Sequence, residues 1–412
     1  MNSKKEDVLS LIYSKMDYSV ENDEISVRQL IGESLIEYGR EHYLSLEEKQ
    51  QLGKELFYSI RKLDILQELL EDKEITEIMI NGPKAIFIEK NGRLKEWENS
   101  FSSVEKLEDV IQQIVGKCNR TVNEASPIAD ARLENGSRVN VVLSPIALNG
   151  PILTIRRFPD KPIRIENLIA FGSITEEVAS WLKIMVHAGY NIMISGGTGS
   201  GKTTFLNALS DFVPKEERII TIEDSAELQI QNAPNLVRLE TRAKTAENCN
   251  EITIRDLIRS SLRMRPDRII VGEVRGAEAV DLLQAMNTGH DGSLSTGHAN
   301  SARDMLYRLE TMVLMGMDLP ISAIRRQIAS GIDLIVHLGR LRDRTRKVLE
   351  IVEVLGISGD EIETQTLYRF ESNGNGKGKV EGKLVKKSEL FSREKIEAAG
   401  LSDLLFFQNG MD

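Results

Sequence analysis

The sequence predicts an α/β protein: a parallel sheet covered by helices on both faces, preceded by a smaller α+β domain and an N-terminal helical cap. Three observations point there. From about residue 174 onward, continuous apolar runs of strand length alternate with helix-like stretches, the pattern of a sheet buried on both sides. Hydrophobic residues make up 41% and charged residues 28%, an ordinary globular balance that excludes disorder, collagen-like repeats and a small disulfide-stapled scaffold. At 412 residues the chain has room for two or three domains.

Residues 1–60 are charged and helix-prone. Leu9, Ile12 and Tyr13, then Leu30, Ile31, Leu35 and Ile36, recur at helical spacing and predict a small bundle or cap. Residues 61–158 read as the α+β domain. Ile78 to Ile80 is a short apolar strand, and Asn91-Gly92 between Ala85–Glu89 and Leu94–Trp97 signals a hairpin. Ser102-Ser103-Val104-Glu105 predicts a capping box and a helix through about Val115; two more strands follow at Arg138–Val142 and Ile152–Ile155. Residues 159–173, with Pro159 and Pro162, read as a linker. Ser173-Ile174-Thr175-Glu176 predicts a second capping box and a helix through about Ala188, opening the core over residues 174–345.

Within that core the expected strands are Asn191–Ser195, Arg218–Glu223, Arg268–Gly272 and the short Ser293–Thr296. The expected helices are Lys202–Asp211, Ile254–Arg263 and Ala277–Asn287. Residues 346–412 predict a β-containing extension, with strands near Val348–Leu355 and Thr366–Phe370 and a flexible Gly/Lys/Asn-rich loop at 373–379.

Charge and cysteine usage narrow the function classes. Fifty-three basic residues against 63 acidic ones leave a net charge of −10, which argues against strong nucleic-acid binding while allowing a local basic groove. Cys118 and Cys249 stand far apart, which fits a reducing cytosol and excludes a cysteine-built zinc site. No stretch of about twenty apolar residues spans a membrane, and the charged N-terminus lacks a signal peptide, so a cytoplasmic protein is expected.

The sharpest chemical signal is Gly196-Gly197-Thr198-Gly199-Ser200-Gly201-Lys202-Thr203, a complete G-x-x-x-x-G-K-[ST] between a predicted strand and a predicted helix. Glycines let successive N–H groups turn inward around an anion, and the helix that follows adds its positive end. Lys202 reaches the outer phosphates of a nucleotide; Thr203, followed by Thr204, supplies a hydroxyl for Mg²⁺. A triphosphate also needs a carboxylate for Mg²⁺ and one to orient the attacking water. Glu223-Asp224 and Glu273 both end apolar strands, where ligands of parallel sheets bind. His298, in Thr296-Gly297-His298-Ala299-Asn300, fits a polar sensor near the γ-phosphate or a structural histidine; His290 is open in the same way. Arg255, Arg259 and Arg263 share one helix face, as a solvated stripe, an intersubunit ion-pair surface, a catalytic set or part of a nucleic-acid groove, the last weakened by the lack of interleaved aromatic residues. Arg132, Arg138, Arg156 and Arg157 stand in the preceding domain. No N-K-x-D or T-K-x-D is present, which argues against guanine nucleotides.

Taken in order, the phosphate loop, Ile222-Glu223-Asp224 with Glu227, Met264-Arg265-Pro266-Asp267 leading into Val271-Gly272-Glu273-Val274-Arg275, and Thr288-Gly289-His290 with Thr296-Gly297-His298 resemble the ATPases of type II and type IV secretion systems. Asp130-Ala131-Arg132-Leu133-Glu134-Asn135-Gly136-Ser137-Arg138-Val139-Asn140 and Leu153-Thr154-Ile155-Arg156-Arg157-Phe158 resemble the CpaF-like branch, the motors of Tad/Flp pili. The resemblance implies a RecA-like P-loop ATPase domain that uses ATP and Mg²⁺, and a preceding domain that folds over the nucleotide. It also implies a homohexameric ring docked on inner-membrane platform proteins at the cytoplasmic face, with no membrane span of its own. It implies roles residue by residue. The loop from Gly196 to Thr204 binds the nucleotide; Thr203, Glu223 and Glu273 surround Mg²⁺. Glu223 and Glu273 are candidate water activators, His298 is a sensor, and Arg132 and Arg138 reach the phosphates. The four-cysteine zinc module of type II assembly motors has no counterpart here, which favours the Tad-like branch; a DNA-transfer ATPase or other nucleic-acid motor is the alternative.

Overall fold

A computed structural model describes residues 2–16, 23–90, 92–118, 120–133, 135–157, 162–231, 233–242, 250–372 and 380–403. The glycine-rich loop at 373–379, Cys249, Asn91, Glu134 and the start of the expected linker at 159–161 lie outside them. The chain divides into two compact units, Met1–Asp160 and Lys161–Asp412.

The first unit opens with helices α1 (Asn2–Lys15), α2 (Glu24–Glu41) and α3 (Leu46–Arg61). Val8, Ile12, Ile31, Leu35, Leu52 and Leu56 come together as one apolar cluster, so the helical spacing of these residues is a packed seam. Ser45 and Glu48 form a reciprocal capping box at the start of α3. The short α4 (Leu66–Glu71) leads into a six-stranded antiparallel sheet. Its strands are β1 (Ile75–Asn81), β2 (Ile86–Lys90), β3 (Arg93–Glu96), β4 (Ile128–Arg132), β5 (Arg138–Val142) and β6 (Ile152–Arg156), in the order β3-β2-β1-β6-β5-β4. Lys90 pairs with Arg93, so the β2–β3 connection is a two-residue hairpin carrying Gly92 at φ +71°. Helix α5 (Val104–Lys117) buries Leu107, Val110, Ile111, Ile114 and Val115 in the same core as Ile78, Ile80, Val139 and Leu153.

The second unit holds a nine-stranded sheet in the order β15-β14-β13-β12-β7-β11-β10-β8-β9. Its parallel part is β7 (Ile192–Gly196), β8 (Ile219–Glu223), β9 (Leu236–Glu240), β10 (Arg268–Val271), β11 (Leu294–Gly297) and β12 (Leu334–Arg340). An antiparallel extension follows: β13 (Arg346–Ser358), β14 (Glu361–Ser372) and β15 (Gly382–Lys386).

Neighbouring residues of these strands serve opposite faces. Ile192 and Ile194 join one core cluster with Ile219, Ile270 and Leu294; Met193 joins the other with Ile220, Ile222, Ile269 and Val271. Helices α6 (Ile165–Ala170), α7 (Glu176–His187) and α8 (Lys202–Ser210) cover the first face. Helices α9 (Ile254–Ser261), α10 (Ala279–Asn287), α11 (Ala302–Gly316) and α12 (Ile321–Gly331) cover the second; α13 (Glu394–Ala398) closes the described chain. The architecture is the expected α/β fold with a sheet covered on both sides.

Two helix starts differ from expectation by one or two residues. The N-cap of α5 is Ser103, whose side chain accepts from Lys106 N, and that of α7 is Thr175, accepting from Val178 N. Ser102–Glu105 and Ser173–Glu176 have the right spacing, yet the neighbouring hydroxyl captures the free amide, so neither forms a reciprocal box. Within the stretch read as a linker stands α6, and α11, α12 and β12 occupy residues for which the sequence alone points to no element.

Candidate active site

The parallel strands place their carboxyl ends side by side in the order β7, β11, β10, β8. The phosphate loop leaves the first, His298 follows the second, Glu273 the third, and Glu223 is the last residue of the fourth. Four segments spread over a hundred residues of sequence are thus neighbours because parallel pairing makes them so.

Gly196 closes β7, and a Cβ there would lie 2.5 Å from the Leu338 carbonyl oxygen and 2.6 Å from Ser200 Oγ, so only glycine fits. Gly201 caps α8 in the left-handed region, at φ +95°. Thr198 and Gly197 are exposed along the arch; Thr203 and Thr204 are half-buried on the first turn of α8. The free amides of that turn, with those of the loop, are the donor groups that an anion at a helix N-terminus takes.

Lys202 is 8% exposed. Its Nζ donates to the Gly197 carbonyl at 3.2 Å and lies 3.2 Å from Nδ1 of His298. Nε2 of His298 lies 2.8 Å from Oε1 of Glu273, a close polar contact without hydrogen-bond alignment. One tautomer serves both neighbours, with the ring proton on Nε2. Burial lowers the His298 pKa, Lys202, Arg275 and Arg308 push the same way, and Glu273 opposes them, so the ring is neutral at pH 7. On its other oxygen Glu273 accepts from Arg275, with Nε at 2.8 Å and Nη2 at 2.5 Å, and Arg275 also lies 3.5 Å from Asp224. Lysine, histidine, carboxylate and arginine therefore form one connected line across three strand ends.

Glu223 is 3% exposed. Its Oε1 accepts backbone amides from Glu227 and Leu228 at 2.8 and 2.9 Å, while Oε2 is buried without a hydrogen-bond partner among the described residues. Burial dominates over those two bonds and raises its pKa to about 7. A Cβ on Gly272 would sit 3.0 Å from Glu223 Cγ, so the glycine before Glu273 makes room for this side chain.

The orphaned oxygen of Glu223 and the Thr203 hydroxyl suit Mg²⁺, a hard cation that takes one or two protein oxygens and completes its shell with phosphate and water. Among the described residues no group of three or more His, Cys, Asp or Glu side chains is placed to hold a metal ion.

The other candidates are described each within its own unit. Arg132 and Arg138 face each other in register on β4 and β5 of the first unit, where Arg132 Nε donates to the Gly136 carbonyl at 3.3 Å. His290 lies 3.3 Å from the Ala285 carbonyl, a local structural contact. Arg255 and Arg259 both bind the buried Asp281 of α10, at 2.6 and 2.7 Å, so two members of the arginine stripe tie α9 to α10.

Sequence patterns gave no role to three contributors. Arg275 closes the Val271–Arg275 motif, two residues after Glu273, with no role of its own read from it. Arg346 donates from β13 to the Gly199 carbonyl at 2.9 Å, across 147 residues of chain. His337 on β12 pairs through Nδ1 with Ser195 Oγ at 2.8 Å in the core below the loop. Neither long-range partner leaves a local trace.

Comparison with known proteins gives a consistent picture. The family model described as "Type II/IV secretion system protein" matches residues 60–383. A putative conjugal transfer protein of Mycobacterium tuberculosis is 35% identical over 293 residues, spanning 70% of this chain and 83% of the relative. The conjugal transfer protein TrbB of Rhizobium radiobacter is 33% identical over 325 residues, 77% of this chain and 96% of its own. The type IV secretion system protein PtlH of Bordetella pertussis is 33% identical over 315 residues, 70% and 93%. Among solved structures, the Yersinia pseudotuberculosis ATPase DotB superposes with a TM-score of 0.51 at 18% identity, covering 72% of this chain and 79% of that one, and shares the fold.

Proposed function

Because this chain belongs to the type II/IV secretion system protein family, we propose that its P-loop ATPase core powers a Tad/Flp-type pilus as a CpaF-like motor. The observation that carries the enzymatic part is the convergence of Lys202, His298 and Glu273 at adjacent strand ends beside a complete phosphate loop. The pilus reading draws on the 130–140 and 153–158 segments and on the helical bundle that precedes the matched region.

In this reading ATP lies with its phosphates on the amides from Gly197 to Thr204 and against Lys202. Mg²⁺, held by Thr203 and through Glu223 or Glu273, would neutralise charge on the outer phosphates. Glu273, fixed on one side by Arg275, and Glu223, with one free buried oxygen, are the two groups able to orient a water for in-line attack. His298 donates or accepts a hydrogen bond at the γ-phosphoryl group. Arg132 and Arg138 add positive charge in the transition state. The motor works as a homohexamer docked on inner-membrane platform proteins at the cytoplasmic face; among the described residues no helix is long and apolar enough to cross a membrane.

Lys202→Ala tests the enzymatic part: phosphate release should fall to background while the circular dichroism spectrum is kept. Turnover at the wild-type rate in that variant would remove the proposal. A second reading, a DNA-transfer motor, is favoured by the relatives named as conjugal transfer proteins. The two separate on DNA affinity against salt: a phosphate-binding groove gives a steep slope, and the net charge of −10 predicts weak binding.

A further inference from the structure

His337 is a polar side chain in the packing of the second sheet face. Two residues before it on β12, Ile335 joins the apolar cluster that also holds Met193 of β7, and strand alternation puts His337 on that same face. It is 7% exposed. Parallel pairing sets it beside Ser195, the fully buried residue before the first glycine of the phosphate loop, with Nδ1 2.8 Å from Ser195 Oγ. The next residue, Leu338, brings its carbonyl so close to Gly196 that a Cβ there would not fit. The backbone and side chain of β12 thus both bear on the root of the loop.

The Asn300 backbone is a further hydrogen-bond neighbour of the ring. Asn300 stands two residues after His298 and just before Ser301, the N-cap of α11. The two segments that His337 joins are therefore those whose side chains meet where Lys202 Nζ lies 3.2 Å from His298. Burial lowers the His337 pKa, against the Asn300 carbonyl, Glu350 of β13 and Asp304 of α11, so the ring is neutral at pH 7.

We propose that His337 is a positioning residue for the hydrolytic reaction: it locks the root of the phosphate loop to the His298 segment and so fixes how Lys202 and His298 stand to each other. The inference rests on the ATPase reading above, with His298 at the γ-phosphoryl group. A neutral imidazole has one N–H and one bare nitrogen, which suit the Asn300 carbonyl and the Ser195 hydroxyl in turn. An apolar side chain of similar size fills the same space and leaves the two segments untied. A displacement of about 1 Å among reacting groups lowers a rate about 10²-fold. The amides that take the phosphates belong to the loop backbone and do not need the ring, so turnover and polyphosphate binding should respond differently.

The test follows phosphate release by the full chain together with calorimetric titration of inorganic tripolyphosphate and Mg²⁺. In His337→Leu, kcat should fall about 10²-fold, with KM for ATP and tripolyphosphate affinity kept. His337→Gln, whose amide offers a donor and an acceptor, should recover most of the rate. In a His298→Ala background His337→Leu should remove nothing further, because the tie acts through His298. A wild-type kcat in His337→Leu, an undiminished further loss in the His298→Ala background, or a parallel loss of tripolyphosphate affinity, the mark of a merely structural histidine, would overturn the positioning role. If His337→Leu does not fold, Ser195→Ala breaks the same tie from the other side: a lowered kcat with tripolyphosphate affinity kept supports the role, and an unchanged kcat overturns it. A wild-type rate in His298→Ala alone would instead remove the sensor reading, and the positioning role with it.

Discussion

Glu223 combines burial, two backbone hydrogen bonds to one oxygen and none to the other. Its pKa stands at about 7 against an ordinary 4.5. Between those values the folded chain holds a proton that the unfolded chain has released, so this residue's contribution to stability falls as pH rises through the window. Above pH 7 its charge costs the fold about 3 kcal/mol. Glu223→Gln keeps an oxygen for the Glu227 and Leu228 amides and removes the titration. The variant should be more stable than wild type at pH 8, by up to about 3 kcal/mol, with the gap closing by pH 5. Urea unfolding at the two pH values measures this, and an equal gap at both would show that burial does not hold Glu223 protonated. If Glu223 orients the water, the same variant loses turnover by about 10²-fold; if Glu273 does, Glu273→Gln carries that loss. Measured phosphate-release rates of the two variants assign the role.

At the scale of elements, α9 hangs on Asp281, which accepts from Arg255 and Arg259 while itself only 4% exposed on its side chain. Asp281→Ala leaves both arginines without their acceptor. They are 28% and 52% exposed, so water replaces part of what is lost, and the expected cost is about 1–2 kcal/mol. Tripolyphosphate affinity should stay at the wild-type level, because α9 is remote in sequence from the loop and bonds α10 rather than Lys202. A loss of anion binding in this variant, with the fold intact, would return the stripe to the active site.

The same elements show what a sequence discloses. The phosphate loop was legible because its chemistry is carried by backbone and glycine at fixed spacing, and the strand–loop–helix context is local. The apolar runs of β7, β8 and β10 were legible because burial on both faces removes polar alternation. The pairing order that sets Glu223, Glu273 and His298 side by side was not, since it depends on contacts across a hundred residues. The Arg255/Arg259 stripe could be read four ways until Asp281, twenty-six and twenty-two residues away, was placed beneath it. Arg346 had no motif at all, and its meaning lies in the Gly199 carbonyl it holds.

At the scale of the whole molecule, the two units are chemically unequal. The second carries the phosphate loop and both candidate glutamates; the first carries Arg132 and Arg138. Arg138→Ala should slow hydrolysis by at least tenfold, within the range known for arginines that stabilise a transferring phosphoryl group, while the unfolding midpoint in urea moves little. A wild-type rate in Arg138→Ala would confine catalysis to the second unit. A ring assembled from such chains should gain specific activity with protein concentration. Phosphate release followed alongside light scattering checks this, and a flat profile over the range where the mass rises would show that assembly and hydrolysis are independent.

The most direct measurement is a crystal structure of the chain with Mg²⁺ and a non-hydrolysable ATP analogue. The expected result is a terminal phosphate within hydrogen-bonding distance of Lys202 Nζ, wrapped by the amides of residues 197–203, with Glu273 and His298 alongside. Triphosphate density settled at any other surface, with Lys202 still bound to His298, would contradict it.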